Sequence, residues 1–262
     1  MEIKSWMTIN LLKLNDDKTE LLLIIKNKLK NVSPACRIEL NSVPIFPSTT
    51  IRNLGVYFDQ YMNMESFVNA KCKAAMFALR NISRVRSSLT MDACKTLIQA
   101  YVLSKLDYCN CLLYGLPSQA ISRLQRVQNY AARVITMTRK YDHITPVLAQ
   151  LHWLPIQQRI KYKLLLYVFK ALHGLGPAYM SDLVVPYRPS RTLRSAGKCN
   201  LTEPRFNLSN YGGRAFSSAA PRLWNKLPSD IKSADSLPSF KSRLKTHLFH
   251  EAYHCPFYCC FA

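Results

Sequence analysis

The apolar positions change their period near residue 64. Before it they come in short runs. TELLLII (19–25) is a continuous apolar stretch that fits a buried strand. From Cys36 to Phe58 the pattern predicts small strands broken by turns: RIEL, a turn near Asn41-Ser42, VPIF, then IRNLGVYF. Pro44 and Pro47 confine their strands to edges or irregular backbone, because proline offers no N–H to a ladder.

From about Met64 the repeat becomes helical. In MESFVNAKCKAAMFALRNISRVR the spacing puts Phe67, Ala70, Ala74, Phe77 and Ala78 on one predicted buried side. A second helix is predicted from Met91 to about Lys105, capped by Thr90. A third runs over SQAISRLQRVQNYAARVI, with Ile121, Leu124, Val127, Ala131, Val134 and Ile135 inward and Arg123, Arg126, Tyr130 and Arg133 opposite. Thr145 before Pro146 predicts a cap and a short helix through LHW. Pro155 opens IQQRIKYKLLLYVFKALHG, which Gly174 should stop. After a looser, basic stretch, AFSSAAPRLWNKL and SLPSFKSRLKTHLFHEAY predict two closing helices. The class expected is α+β: a small β-containing N-terminal portion followed by a mainly helical region, with residues 64–173 forming several antiparallel helices.

Charge changes this picture. The 262 residues carry 36 Lys and Arg against 15 Asp and Glu, a net +21. Almost all of the excess lies after residue 60, which favours a polyanionic partner. Arg80, Arg84 and Arg86, then Arg123, Arg126 and Arg133, then Lys161, Lys163 and Lys170 recur on successive predicted helices, as a track along a phosphate backbone would. Tyr130 and Tyr141 are available for stacking. No readable signal peptide precedes them, and LLLII and LLLYVF are too short to span a bilayer, so no transmembrane segment is expected. Nine cysteines without a secretory signal read as reduced thiols, with Cys36, Cys72 and Cys94 expected to fill the core.

Candidate catalytic chemistry is sparse. Asp16-Asp17 is the one adjacent acid pair, but two-metal phosphoryl transfer needs further carboxylates, and the only earlier acid is Glu2. A solvent-facing turn is the expected role of the pair. HExxH, GxSxG and Gly-rich phosphate loops are absent. His143, His152 and His173 fall at predicted helix ends or apolar faces, where packing is expected. His247, His250, His254, Cys255, Cys259 and Cys260 gather metal-binding atom types in the tail, although CPFYCC is an odd spacing for zinc and no metal site is assigned.

Several stretches carry a resemblance. LKLNDDKTELLLI resembles the segment just after the catalytic acid pair in reverse transcriptases of non-LTR retrotransposons (LINE elements) of the jockey and chicken-repeat-like group. STTIRNLGVYFD is similar to their primer-grip hairpin. LSKLDYCNCLLYGLP, LQRVQNYAARVI, HITPVLAQLHWLPIQQRIKYKLLLYVFKALHGLGPAYMSDLV, GGRAFSSAAPRLWNKLP and SFKSRLKTHLF follow in the order the family shows.

The resemblance implies a division into a palm remnant (1–60), a thumb-like helical region (61–185) and a basic loop with C-terminal helices (186–262). The family pattern N-x-x-K-T falls on Asn15, Lys18 and Thr19. It implies an accessory role for Lys18, whose ammonium would meet charge developing on a pyrophosphate leaving group. Asn53, Leu54, Gly55 and Val56 would hold the primer end. Arg80, Arg84, Arg86, Arg123, Arg126, Arg133, Lys161 and Lys163 would grip RNA or an RNA–DNA template-primer. The fingers, most of the palm and the catalytic aspartates are expected upstream of Met1, so the missing upstream region is itself an expected partner. Mg²⁺ is expected of the intact parent polymerase, with no cofactor for this fragment. The alternative is a non-enzymatic helical interaction protein derived from the same element.

Overall fold

The computed structural model describes residues 3–13, 15, 18–25, 37–40, 43–188, 199–209 and 211–253. The fold is α+β and divides into two compact units, Met1–Phe67 and Val68–Ala262.

The first unit holds a short helix, α1 (Ile3–Ile9), which the apolar pattern did not predict. Three two-stranded ladders follow. In the first, β1 (Leu21–Leu22) pairs in parallel with β4 (Pro47–Ser48). The strand expected over 19–25 is thus only two residues long: Pro47 cannot extend the ladder backwards, and beyond it residues 50–53 pair with β6 while the Ile25 N–H donates to the Gln60 carbonyl. In the second, β2 (Ile38–Leu40) pairs antiparallel with β3 (Val43–Ile45), the turn at 41–42 lying outside the described residues. In the third, β5 (Thr50–Asn53) and β6 (Val56–Asp59) form a hairpin. Every strand of a two-stranded ladder is an edge, so both prolines sit where proline is tolerated.

Two local features shape the third hairpin. Its turn places Leu54 at φ 46° and Gly55 at φ 80°, both left-handed, as a type I′ turn requires. Glycine accepts that region freely, whereas leucine pays in steric strain and is left 86% exposed. Beyond β6, Asp59 organises the descent of the chain: Oδ1 accepts from the backbone N–H of Tyr61 (3.1 Å) and Asn63 (2.9 Å), and Oδ2 from Met64 (2.6 Å). Met62 and Met64 in this loop also have positive φ, and the carboxylate acts with the buried Met64 side chain and the Met62 N–H bond to the Asp59 carbonyl (2.9 Å) to hold that backbone.

Helix α2 (Glu65–Arg84) opens at the end of the first unit and belongs mostly to the second. Its buried stripe is Val68, Lys71, Ala75, Leu79 and Ile82. The side predicted from the sequence is therefore wrong by about one residue of rotation, roughly 100°. Phe67 is buried, but Ala74 is exposed and Phe77 is 66% exposed. The physical cause is Lys71, a cation on the apolar stripe whose charge is met by backbone carbonyls.

Thr90 caps the next helix as expected, its hydroxyl accepting from the Ala93 N–H at 3.2 Å. The run passes from α3 (Met91–Ile98) through a π turn (Gln99–Leu103) into α4 (Ser104–Asp107). α5 (Ser118–Thr136) buries the predicted face, with Ile121 only half-buried and Ala120, Gln128 and Ala132 added. Asn69 of α2 meets Arg123 early in α5, and Arg86 just past α2 meets Val134 and Ile135 late in α5. These two helices run parallel and the intervening 91–107 run makes the return, as a series of antiparallel neighbours requires.

α6 (Ile144–Gln150) begins one residue before Thr145, with His143 in the cap position and Pro146 inside the first turn; LHW lies beyond its end. α7 (Ile156–Leu172) follows Pro155, and Gly174 at φ 64° ends it as predicted. α8 (Ala178–Asp182) occupies part of the stretch read as looser. The closing segments form α9 (Phe216–Asn225), α10 (Ser229–Lys232) and α11 (Leu237–Tyr253). Phe240 stacks on Phe169 at 4.3 Å between centroids, and Trp224 tilts against Phe240 at 5.9 Å. This buried aromatic stack joins α7, α9 and α11, with the Trp224 indole N–H donating to the Cys199 carbonyl at 2.9 Å. Cys94 is buried as expected and Cys72 half-buried; Cys36 lies outside the described residues.

Two substitutions test the first unit. Asp59→Ala strands three N–H groups and should destabilise the hairpin and its following loop by about 2 kcal/mol. Leu54→Asn, a residue at ease in the left-handed region, should stabilise the turn by roughly 1 kcal/mol. Amide hydrogen exchange across residues 50–64 of the full chain should speed up in the first variant and slow down in the second.

Candidate nucleic-acid interface

The N-x-x-K-T pattern closes on itself. Asn15 accepts the Lys18 backbone N–H at its side-chain oxygen (3.2 Å), and the Thr19 hydroxyl donates to the Asn15 carbonyl (3.0 Å). The three residues form an Asx-type turn that leaves the Lys18 side chain exposed. Asp16 and Asp17 lie outside the described residues. Asn53, Leu54, Gly55 and Val56 form the hairpin turn already described, with Asn53 opposite Val56. Asn53 and Leu54 are exposed at its tip and Val56 is buried.

The eight basic residues expected to grip a template-primer divide into two groups. Arg80, Arg84 and Arg126 are exposed and make no hydrogen bond or ion pair among the described residues. Arg80 and Arg84 are one turn apart and share a side of α2. The others meet protein atoms. Arg86 donates from Nε to the Val134 carbonyl and from Nη2 to the Ile135 carbonyl, each at 2.8 Å, and so caps the C-terminus of α5. Arg133 donates to the carbonyls of Arg139 and of Asp142 (2.8 Å), holding the turn after its own helix. Arg123 donates to Asn69 Oδ1 at 2.7 Å. Lys161 pairs with Glu251 of α11 at 2.6 Å. Lys163 lies over the Tyr167 ring at 5.5 Å, and Tyr141, 91% exposed, has Lys140 over it at 5.8 Å.

Residues that the sequence reading passed over make the firmest polar contacts. Lys71, only 6% exposed, donates from Nζ to the carbonyls of Lys105 (2.8 Å), Leu106 (3.1 Å) and Tyr108. Its ammonium thus caps the C-terminus of the 91–107 run, where helix dipole and unpaired carbonyls favour a cation. Burial pulls its pKa down from 10.5 to about 8, against the opposing pull of the Cys109 thiol and Asp107. Asp107 forms a bidentate pair with Arg159, whose Nε donates to Oδ1 at 2.8 Å and whose Nη2 donates to Oδ2. Gln128, fully buried, donates to the Leu154 carbonyl (2.9 Å), and Gln125 accepts the Ile156 N–H (2.9 Å). LSKLDYCN, LQRVQN and LPIQQRI are therefore joined in space. A lysine on the 68-71-75-79-82 stripe was the one sequence signal that could have exposed the Lys71 contact.

Of the three histidines expected to pack, His152 and His173 do, whereas His143 stands exposed at the start of α6. His173 stacks on Phe169 at 3.9 Å, and His152 tilts against Phe249 at 5.8 Å. Among the described residues no three His, Cys, Asp or Glu side chains gather as a metal cage, and the tail from His254 onward lies outside them. No described helix is long and apolar enough to cross a membrane. A scan of protein-family models finds no match, and neither the curated proteins nor the solved structures contain a match to this chain.

Lys71 carries a pH signature. The folded chain releases its proton near pH 8, while the unfolded chain holds it to about 10.5. Between those values the unfolded state binds more protons, so resistance to unfolding rises with pH through that window. Lys71→Met, which strands the three carbonyls, should cost about 2 kcal/mol at neutral pH. Urea unfolding of both proteins from about pH 7 to about pH 10 should show the wild type gaining on the variant as pH rises. A flat or falling difference would exclude this linkage.

Proposed function

We propose that this chain is the C-terminal part of a non-LTR retrotransposon RNA-directed DNA polymerase, a reverse transcriptase, and that it binds RNA or an RNA–DNA template-primer without polymerising by itself. The ordered series of family-like stretches supports the origin. The single structural observation that carries the binding reading is the group of partnerless, exposed arginines on α2 and α5, Arg80, Arg84 and Arg126. Cations without a protein partner in a chain of net charge +21 are free to displace counterions from a phosphate backbone. Arg86 and Arg133 contribute in this reading only by fixing the helix ends on which the exposed arginines stand. The hairpin tip at Asn53 and Leu54 and the Lys18 side chain are exposed groups that a primer end and its phosphates would meet in the parent polymerase.

A second reading has its own observation. Phe77 and Tyr101 stand 66% and 56% exposed on the helical unit, surface suited to a protein partner. A non-enzymatic interaction protein would use that apolar surface and leave the arginines idle.

Salt separates the two. The wild type and the triple variant Arg80→Gln, Arg84→Gln, Arg126→Gln are titrated against a labelled RNA–DNA primer-template over a range of salt concentrations. Wild-type affinity should fall steeply with salt, and the variant should lose about 2–3 from the slope of log K against log salt. Absent affinity, or affinity indifferent to salt, would overturn the binding reading.

A further inference from the structure

A cavity of about 480 Å³ opens in the second unit where the end of the 91–107 run, residues 151–154, α7 and α11 converge. That volume lies within the roughly 300–1,000 Å³ typical of small-molecule sites. Its charged walls are Arg159, Lys163 and Lys245 against a single carboxylate, Asp107. Asp107 is already committed to Arg159 by the bidentate pair, so the two lysines face the cavity without an acid. Lys245 is exposed, and neither it nor Lys163, which lies over the Tyr167 ring, makes a hydrogen bond or ion pair among the described residues. A dianion would meet both.

Asn110 lines the same cavity and is 5% exposed, and its Nδ2 donates to Asp107 Oδ1 at 3.3 Å, which holds the carboxylate of the Arg159 pair in place. The backbone beside it is also held in an unfavourable region: Cys109 has φ 49°, and His152, on the cavity wall, φ 53°. Left-handed non-glycine residues are held at such positions only by their surroundings, and they cluster at binding sites. Tyr162 and Trp153 supply ring surface in the same wall.

We propose that this cavity binds a phosphate monoester, with the phosphate met by Lys163 and Lys245. A free nucleoside monophosphate has this chemistry, and so does the 5′-phosphorylated end of an RNA strand. The site stands independently of the backbone-binding reading, because none of the three exposed arginines lines it.

Calorimetric titration of the full chain tests it with AMP, adenosine, and matched short RNA strands ending in a 5′-phosphate or a 5′-hydroxyl. AMP should bind where adenosine does not, and Lys163→Met and Lys245→Met should each weaken AMP by about tenfold. Neither lysine makes a hydrogen bond among the described residues, so these variants keep the hydrogen bonds described. A phosphorylated strand that outbinds the hydroxyl strand, with the preference lost in the lysine variants, assigns the site to strand ends. Equal strand affinities beside AMP binding assign it to free nucleotides. The proposal fails if AMP binds no better than adenosine and the phosphorylated strand no better than its hydroxyl twin, or if both lysine variants bind AMP as the wild type does.

Discussion

The helical unit is joined by cations set against the carbonyl ends of helices, Lys71 and Lys232 among them buried. Lys71 closes the 91–107 run, Arg86 closes α5, and Lys232 donates to the Asn225 carbonyl at the end of α9. Arg243 does the same for Asp230 in α10, and Arg214 for Tyr114 after the 3₁₀ turn Asn110–Leu113. Each helix end leaves carbonyls that must find donors, and its dipole favours positive charge. A chain with more than twice as many cations as carboxylates meets that demand without acids.

This use of charge alters what the net +21 means. A basic chain reads as one built to bind phosphates, yet several of its cations are structural by geometry. Lys71 is the extreme: its ammonium is buried, fully occupied by carbonyls and easier to deprotonate than a surface lysine. Arg80, Arg84 and Arg126 remain outward, and Lys163 and Lys245 face a cavity. The functional readings rest on these few groups and not on the total.

The family-like stretches also acquire physical content. LDYCN, LQRVQN and LPIQQRI are far apart in the chain, but Asp107 pairs with Arg159, Gln128 bonds the Leu154 carbonyl and Gln125 accepts from Ile156. These polar side chains stitch α4, α5 and α7 together inside an apolar body, where an unmatched amide or carboxylate would be costly. A polar word set in an apolar stretch can thus be a joint between helices as readily as a site.

Local chemistry alone determined much of the architecture. Thr90 as a cap, Pro155 as an opener, Gly174 as a stop and the helical face of α5 follow from interactions within a few residues, and all were legible in the order of residues. The buried side of α2, the two-residue length of β1 and the sorting of arginines into caps and free charges were not. Each turns on a partner distant in the chain: a carbonyl at 105, a carbonyl at 60, a helix end at 135. Periodicity states that a stripe will be buried and that a cation must be satisfied. Which carbonyl satisfies it is decided only when the helices pack.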